Sequence, residues 1–175
     1  EDAYIIAKMN SLLDKRVIAK LYEASTNGVK IDLIVRGICT LRPGIAGVSD
    51  HITVRSIVGR FLEHHRLFYF RNGGNEKLFL SSADWMPRNL NERVELMIPI
   101  EDKRHKSRIK GILDLYLVDT LKTHIMRADG SYYKASNVEG PLSAQEELME
   151  AANTQDNKEK MTVIERFKPM FKMKE

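Results

Sequence analysis

The chain has 175 residues, 43% hydrophobic and 30% charged, a composition of folded water-soluble domains in which no run approaches the roughly 18 apolar residues of a membrane span. That length suits one domain, able to bury about two thirds of its extended surface without a covalent staple. A single cysteine, Cys39, excludes an internal disulfide and a CxxC motif, and the excess of 28 Lys+Arg over 24 Asp+Glu suits an anionic partner without requiring one.

The amino terminus, EDAYIIAKMN, enters an apolar run with no basic leader or cleavage signal. With the lone cysteine, this predicts a reducing cytoplasm. Tyr4 to Ala7 reads as a strand, and Leu12 to Ser25 as a helix with Leu13, Val17, Leu21 and Ala24 at helical spacing, stopped by Asn27-Gly28. KIDLIVRGI is nearly continuous in apolar residues, as in a parallel strand buried on both faces. Strand, helix, strand implies a right-handed crossover.

CTLRPGIAGVSDH is a long loop leaving the end of that second strand, a place that often carries a site. Further strands are expected at Ile52 to Val58, Leu67 to Phe70, Lys77 to Ser81 and Val94 to Ile98, with Asn72-Gly73-Gly74 as a turn. The fold class is α/β, a mixed sheet flanked by helices. From Asp102 to Met126 the spacing predicts one long amphipathic helix, its buried stripe formed by Ile109, Ile112, Leu113, Tyr116, Leu117 and Leu121. Gly130 and SYYKASN interrupt it. A last helix begins at a Ser143 cap, ahead of a polar segment, Asn153 to Lys160, of disorder-prone composition. Residues 1–140 are expected to form one domain and 141–175 a helical and polar tail. Acids gather in that tail, whereas cations between Arg36 and Arg108 fall beside turns and strand ends, so an anion site is expected centrally.

Two stretches carry candidate chemistry. In LEHHRLFYF, His64 and His65 are adjacent on an extended segment and point to opposite faces, so only one can face a given site. In LSSADWMPRNLNER a polar turn accounts for Ser81, Ser82 and Pro87, and accounts less well for Trp85, Arg88, Asn89 and Arg93. Arginine forks suit phosphate oxygens, with hydroxyl and amide donors completing a pocket. Arg36 ends the apolar run DLIV, which places it at the carboxyl edge of a strand, where open α/β sheets bind ligands. Asp84 is suited to orient an imidazole or an arginine, or to cap a turn. The basic run KRHKSRIK is either a phosphate-tracking patch or a solvated helix face. No phosphate loop, dinucleotide fingerprint, HExxH or nucleophile elbow is present.

Together, KMNSLLD, GVKIDLIVRGICTLRPG, SIVGRFLEHHRLFYF and LSSADWMPRNLNERVE closely resemble the carboxyl-terminal part of bacterial polyphosphate kinase, over about Lys8 to Arg127. The resemblance implies the second of two phospholipase-D-like domains, with a mixed, largely parallel sheet. It implies an ATP-dependent enzyme that moves the terminal phosphate of ATP reversibly onto polyphosphate through a phosphohistidine, with Mg2+ held mainly outside this chain. The nucleophilic histidine belongs to an upstream domain, so this chain alone is expected to be inactive. By motif, Arg36 becomes an ATP-phosphate ligand, His64 the second active-site histidine, His65 a bystander and Arg93 a tunnel arginine. Arg66, Asp84 and Arg88 rest mainly on the chemistry above. His64 and Arg66 keep the first pair of the phospholipase-D signature, but its aspartate position holds Arg71, which argues against ordinary phosphodiester hydrolysis. Expected partners are ATP, ADP, polyphosphate, the upstream domains and further copies in an oligomer. The expected location is cytoplasmic with peripheral membrane association. A nucleic-acid-binding module and an assembly domain stay open as alternatives, the first marked by aromatics interleaved with cations.

Overall fold

The apolar segments near the amino terminus become the centre of one sheet. In a computed structural model describing residues 2–135 and 140–154, β1 (Ala3–Met9), β2 (Lys30–Val35) and β3 (Ile52–Ile57) run parallel, with Ala7 opposite Leu33 and Leu33 opposite Val54. Ile6, Ala7, Ile31, Leu33, Ile34, Val35 and Val54 are buried, as a double-sided apolar pattern requires. The one acid in β2, Asp32, is matched by Arg55 of β3 at 2.8 Å and by the hydroxyl of Tyr4 at 2.6 Å.

The crossover helix α1 (Lys15–Thr26) starts where the Asp14 carboxylate accepts from the N–H groups of Arg16 and Val17. It ends at Asn27, before Gly28 takes a φ of 81°. Its inner face, Ile18 and Leu21, packs on Ala7, Met9, Leu33 and Val54. On the opposite face of the sheet, α3 (Lys103–Val118) sets Leu113 and Tyr116 against Ile6, Ile34 and Tyr69. A last helix, residues 144–154, joins that second layer through Ala144 and Leu148.

The outer strands are antiparallel. β4 (Arg66–Asn72) pairs with β1 and turns through Gly73 and Gly74, both at positive φ, into β5 (Asn75–Ser81). β6 (Met97–Pro99) closes that edge, and β7 (Thr123–Met126) with β8 (Tyr132–Lys134) the other. The order is β6-β5-β4-β1-β2-β3-β7-β8. The sheet is mixed and helix-flanked as expected, but not largely parallel: parallel pairing is confined to its three-strand centre, and the outer pairings are antiparallel because hairpins and returning strands close both edges.

Three expectations need correction. The helix expected over Asp102 to Met126 stops at Val118, and Leu121 lies outside it. Beyond the cap residue Asp119 the chain forms the β7–β8 hairpin, because Thr123 to Met126 finds the open edge of β3. The strand expected from Val94 begins only at Met97, since Ser82 first binds Leu96 through backbone and hydroxyl. Within the expected polar turn, Pro87 opens a short helix, α2 (Pro87–Asn91). Ser143 does cap the last helix, its hydroxyl accepting from the Glu146 N–H. The polar stretch Asn153 to Lys160 lies, beyond 154, outside the described residues. No helix among the described residues is long and apolar enough to cross a membrane.

Candidate anion-binding site

Where β1 and β2 end, their next polar residues meet. The Asn10 side-chain oxygen accepts from Arg36 Nε at 3.2 Å and Nη2 at 3.0 Å. The N–H of Asn10 donates to Asp84 Oδ1 at 2.7 Å, joined by the N–H of Ser11 at 3.3 Å. Asp84 in turn accepts from Arg66 in a two-pronged pair, Nε to Oδ1 at 3.2 Å and Nη2 to Oδ2 at 3.0 Å. Arg66 Nη1 donates to the carbonyl of His64 at 2.6 Å. Arg36, Asn10, Asp84, Arg66 and the His64 backbone therefore form one hydrogen-bonded chain. Burial pushes the Asp84 carboxyl up, but Arg66 and the Asn10 N–H outweigh it and hold the group below the usual carboxylate range. Fixed at their roots, the two guanidinium groups have less rotamer freedom to lose when an anion arrives.

The two histidines separate as alternation predicts. His64 is exposed, and its imidazole has no hydrogen-bond partner among the described residues. His65 turns inward onto the Tyr116 ring, centroids 5.8 Å apart, with Nε2 buried and unpartnered among the described residues. Burial, with Lys8 and Arg66 nearby, lowers its pKa from 6.5 to about 4, so at neutral pH it is an uncharged packing residue.

Beside it lies a cluster absent from the sequence reading. Lys8 Nζ, buried above the Tyr116 ring, meets Glu63 Oε2 at 2.7 Å. Glu63 Oε1 accepts from the Tyr116 hydroxyl at 2.6 Å and from Gln145 Nε2 at 3.0 Å. Burial draws the Lys8 ammonium below its usual range against the pull of Glu63. The available signal was a lysine inside AYIIAKM, since a lysine in a doubly covered strand demands a buried acid. Which acid would answer, 55 positions along, was not legible.

The segment from Leu80 to Arg93 divides by role. Trp85 stacks on Phe68 at 4.7 Å, and its carbonyl accepts from the N–H groups of Leu13 and Asp14, so it belongs to the core and the start of α1. Asn89 donates to Glu95 at 2.6 Å, and Ser82 donates to the other oxygen of the same carboxylate. Arg93 reaches Glu95 at 3.8 Å from an exposed position. Arg88 is exposed on α2 with no side-chain partner among the described residues. Arg88 and Arg93 thus stand outside the chain that unites Arg36, Asp84, Arg66 and His64. The basic run of α3 lies by the β4–β5 turn, at the other end of β4 from Arg66; Lys106 binds the Glu76 carbonyl and Lys110 binds Asp114, as on a solvated face. Arg71, in the signature's aspartate position, pairs with Asp2 at 2.7 Å, at that same far end.

Fold and site together define an α/β domain with an arginine-rich edge at the carboxyl ends of its central parallel strands. Comparison with known proteins gives the family: the profile described as polyphosphate kinase C-terminal domain 2 matches residues 1–145, and the chain belongs to that family. It is 55% identical over 152 residues to a polyphosphate kinase of Pseudomonas aeruginosa, covering 86% of this chain and 22% of that protein. A polyphosphate kinase of Bacillus anthracis is 58% identical over 136 residues, covering 78% of this chain and 19% of the relative. The crystal structure of polyphosphate kinase from Porphyromonas gingivalis superposes with a TM-score of 0.83 at 41% identity, over 89% of this chain and 24% of that one. The chain spans about a fifth of the length of these relatives.

Proposed function

We propose that the chain is the phosphate-gathering half of an ATP-dependent polyphosphate kinase. In this reading the bond between the terminal phosphorus of ATP and the ADP oxygen breaks as a P–N bond forms to a histidine in the upstream part of the enzyme. The phosphoryl group then passes to the end of a polyphosphate chain, and each step is reversible. Arg36 and Arg66 offset charge on the phosphate oxygens, while His64 donates a hydrogen bond to the ADP leaving oxygen. A positioned acid of this kind contributes about 10²- to 10⁴-fold, and an arginine at a transferring phosphoryl group about 10³- to 10⁵-fold in related enzymes. Arg93 and Arg88, on the neighbouring rim, are suited to guide the polymer.

The observation that carries this reading is the continuous chain from Arg36 through Asn10, Asp84 and Arg66 to the His64 carbonyl, which holds two guanidinium groups in fixed relation beside the backbone that carries an exposed imidazole. Magnesium fits this chain poorly. No group of three or more His, Cys, Asp or Glu among the described residues is arranged to hold a metal, and Asp84, Glu63 and Glu95 already have donors. The ion is assigned to the nucleotide and to the rest of the enzyme. A nucleic-acid module gains nothing from the aromatics of β4: Phe68 stacks inside on Trp85 and Phe70 meets Phe79 edge-on, so neither is a stacking platform.

Calorimetric titration with tripolyphosphate and with an oligonucleotide of equal charge, at two salt concentrations, tests the site. Tripolyphosphate affinity should fall about tenfold in Arg36→Ala and His64→Ala. Asp84→Asn separates positioning from bulk charge, because removing an acid tightens anion binding on charge alone, whereas releasing Arg66 weakens it. Equal, steeply salt-dependent binding of both polymers, unmoved by the substitutions, would leave only a diffuse basic surface.

A further inference from the structure

We infer that Gln145 is a positioning residue for His64, latching the loop that carries the imidazole onto the last helix; the inference rests on the reading of His64 as phosphate-facing. The loop between β3 and β4 is long, and apart from the Glu63 side chain, which Lys8 and Tyr116 anchor, it is tied down by few contacts of its own backbone. Among the described residues, none from Gly59 to His65 makes a backbone–backbone hydrogen bond. Its peptide groups are held instead by two side chains. Gln145 Oε1 accepts from the Phe61 N–H at 2.9 Å, and Gln145 Nε2 donates to the Phe61 carbonyl at 3.0 Å, so one amide grips both polar groups of one residue. The same Nε2 reaches Glu63 at 3.0 Å, and Arg66 takes the His64 carbonyl. The backbone at His64 is thereby held on both sides, by Gln145 and the Lys8-anchored Glu63 before it and by Arg66 at its own carbonyl.

Two further observations show a built contact. Gln145 is only 5% exposed, although its residue type is ordinarily solvated. Gly59 lies under its amide: a Cβ there would sit 2.5 Å from Gln145 Oε1 and 3.0 Å from its Cδ, so any larger residue displaces the amide from Phe61. Met149, one helical turn beyond Gln145, lies 3.8 Å from Arg60 of the same loop. The first two turns of the helix at 144–154 therefore meet the loop, and the exposed imidazole depends on a segment distant in sequence.

The test uses the 175-residue chain, with Gln145→Met removing the amide and Gly59→Ala displacing it from below. Exchange of the Phe61 amide, read by NMR, should rise at least tenfold in each variant while core amides such as Leu33 and Val54 keep their rates. Tripolyphosphate affinity should fall about fivefold in each. In a His64→Ala background Gln145→Met should cost nothing further, since the latch acts through His64. Unchanged Phe61 exchange overturns the inference, as does a core-wide rise in exchange in both variants, or an equal loss of affinity without His64. If His64→Ala alone leaves affinity untouched, the phosphate reading fails separately. The latch is then decided by Phe61 exchange and by the His64 imidazole signal, which shifts in Gln145→Met if the side chain is held and stays in place if it is not.

Discussion

His65 is ionisable and sits where ionisation is costly. Its neighbours are the Tyr116 ring, the Lys8 ammonium, the Glu63 carboxylate and Arg66, and burial with the two cations outweighs the acid. Between its unfolded pKa of 6.5 and its folded value of about 4, the unfolded chain binds a proton that the folded chain refuses. Stability is therefore complete above pH 6.5 and is lost as the pH falls toward 4. Allowing for its partial exposure, the loss between pH 7 and 5 is about 1–2 kcal/mol. Urea denaturation at the two pH values should show it, and His65→Phe, which keeps an aromatic contact with Tyr116, should abolish most of the difference; an unchanged slope would remove His65 as its cause. At this scale the sequence is legible where chemistry is local. Arg36 stands at a strand end because it follows DLIV, and alternation separates His64 from His65. Asn10, Lys8 and Gln145 are not legible, because the partners that define them lie 74, 55 and 84 positions away.

Elements are legible when their pattern is long and their ends carry a breaker. α1 has both, a stripe and Asn27-Gly28. α3 has the stripe but no glycine or proline at its end, and Leu117 with Leu121 continues the helical spacing into a hairpin. Asp119 makes the break. Its carboxylate accepts from the Lys122 N–H at 2.9 Å, the Thr123 hydroxyl at 3.0 Å and the Ala144 N–H at 2.7 Å, so one buried side chain ends α3, starts β7 and holds the first residue of the last helix. Asp119→Ala leaves those donors unmatched in a buried site and should cost about 3 kcal/mol. Chemical denaturation measures the cost, and amide exchange in Thr123–Met126 should rise more than in β1 to β3. A loss below about 1 kcal/mol would show that water replaces the carboxylate without penalty.

At the scale of the whole molecule, the arrangement bears on what the isolated chain does with ATP. A histidine serves as a nucleophile toward phosphorus when an acid or carbonyl orients its ring and stabilises the developing positive charge. His64 has no such partner among the described residues. The nearest acid in the hydrogen-bonded chain, Asp84, is committed to Arg66 and to the Asn10 N–H, and Arg71 occupies the signature's acid position at the far end of β4. His65 is half-buried, with its Nε2 enclosed, and faces the other way. On the proposed function, this half of the site binds phosphate and donates to a leaving oxygen, and its histidines, one without an orienting partner among the described residues and one turned inward, are not placed to accept the phosphoryl group. Incubated with ATP labelled in its terminal phosphate, the chain should bind tripolyphosphate yet retain no label after denaturing gel filtration at alkaline pH, where phosphohistidine survives. Label on His64 would mean that an exposed imidazole without an orienting acid suffices as the nucleophile, and the division of labour between this chain and the rest of the enzyme would have to be redrawn.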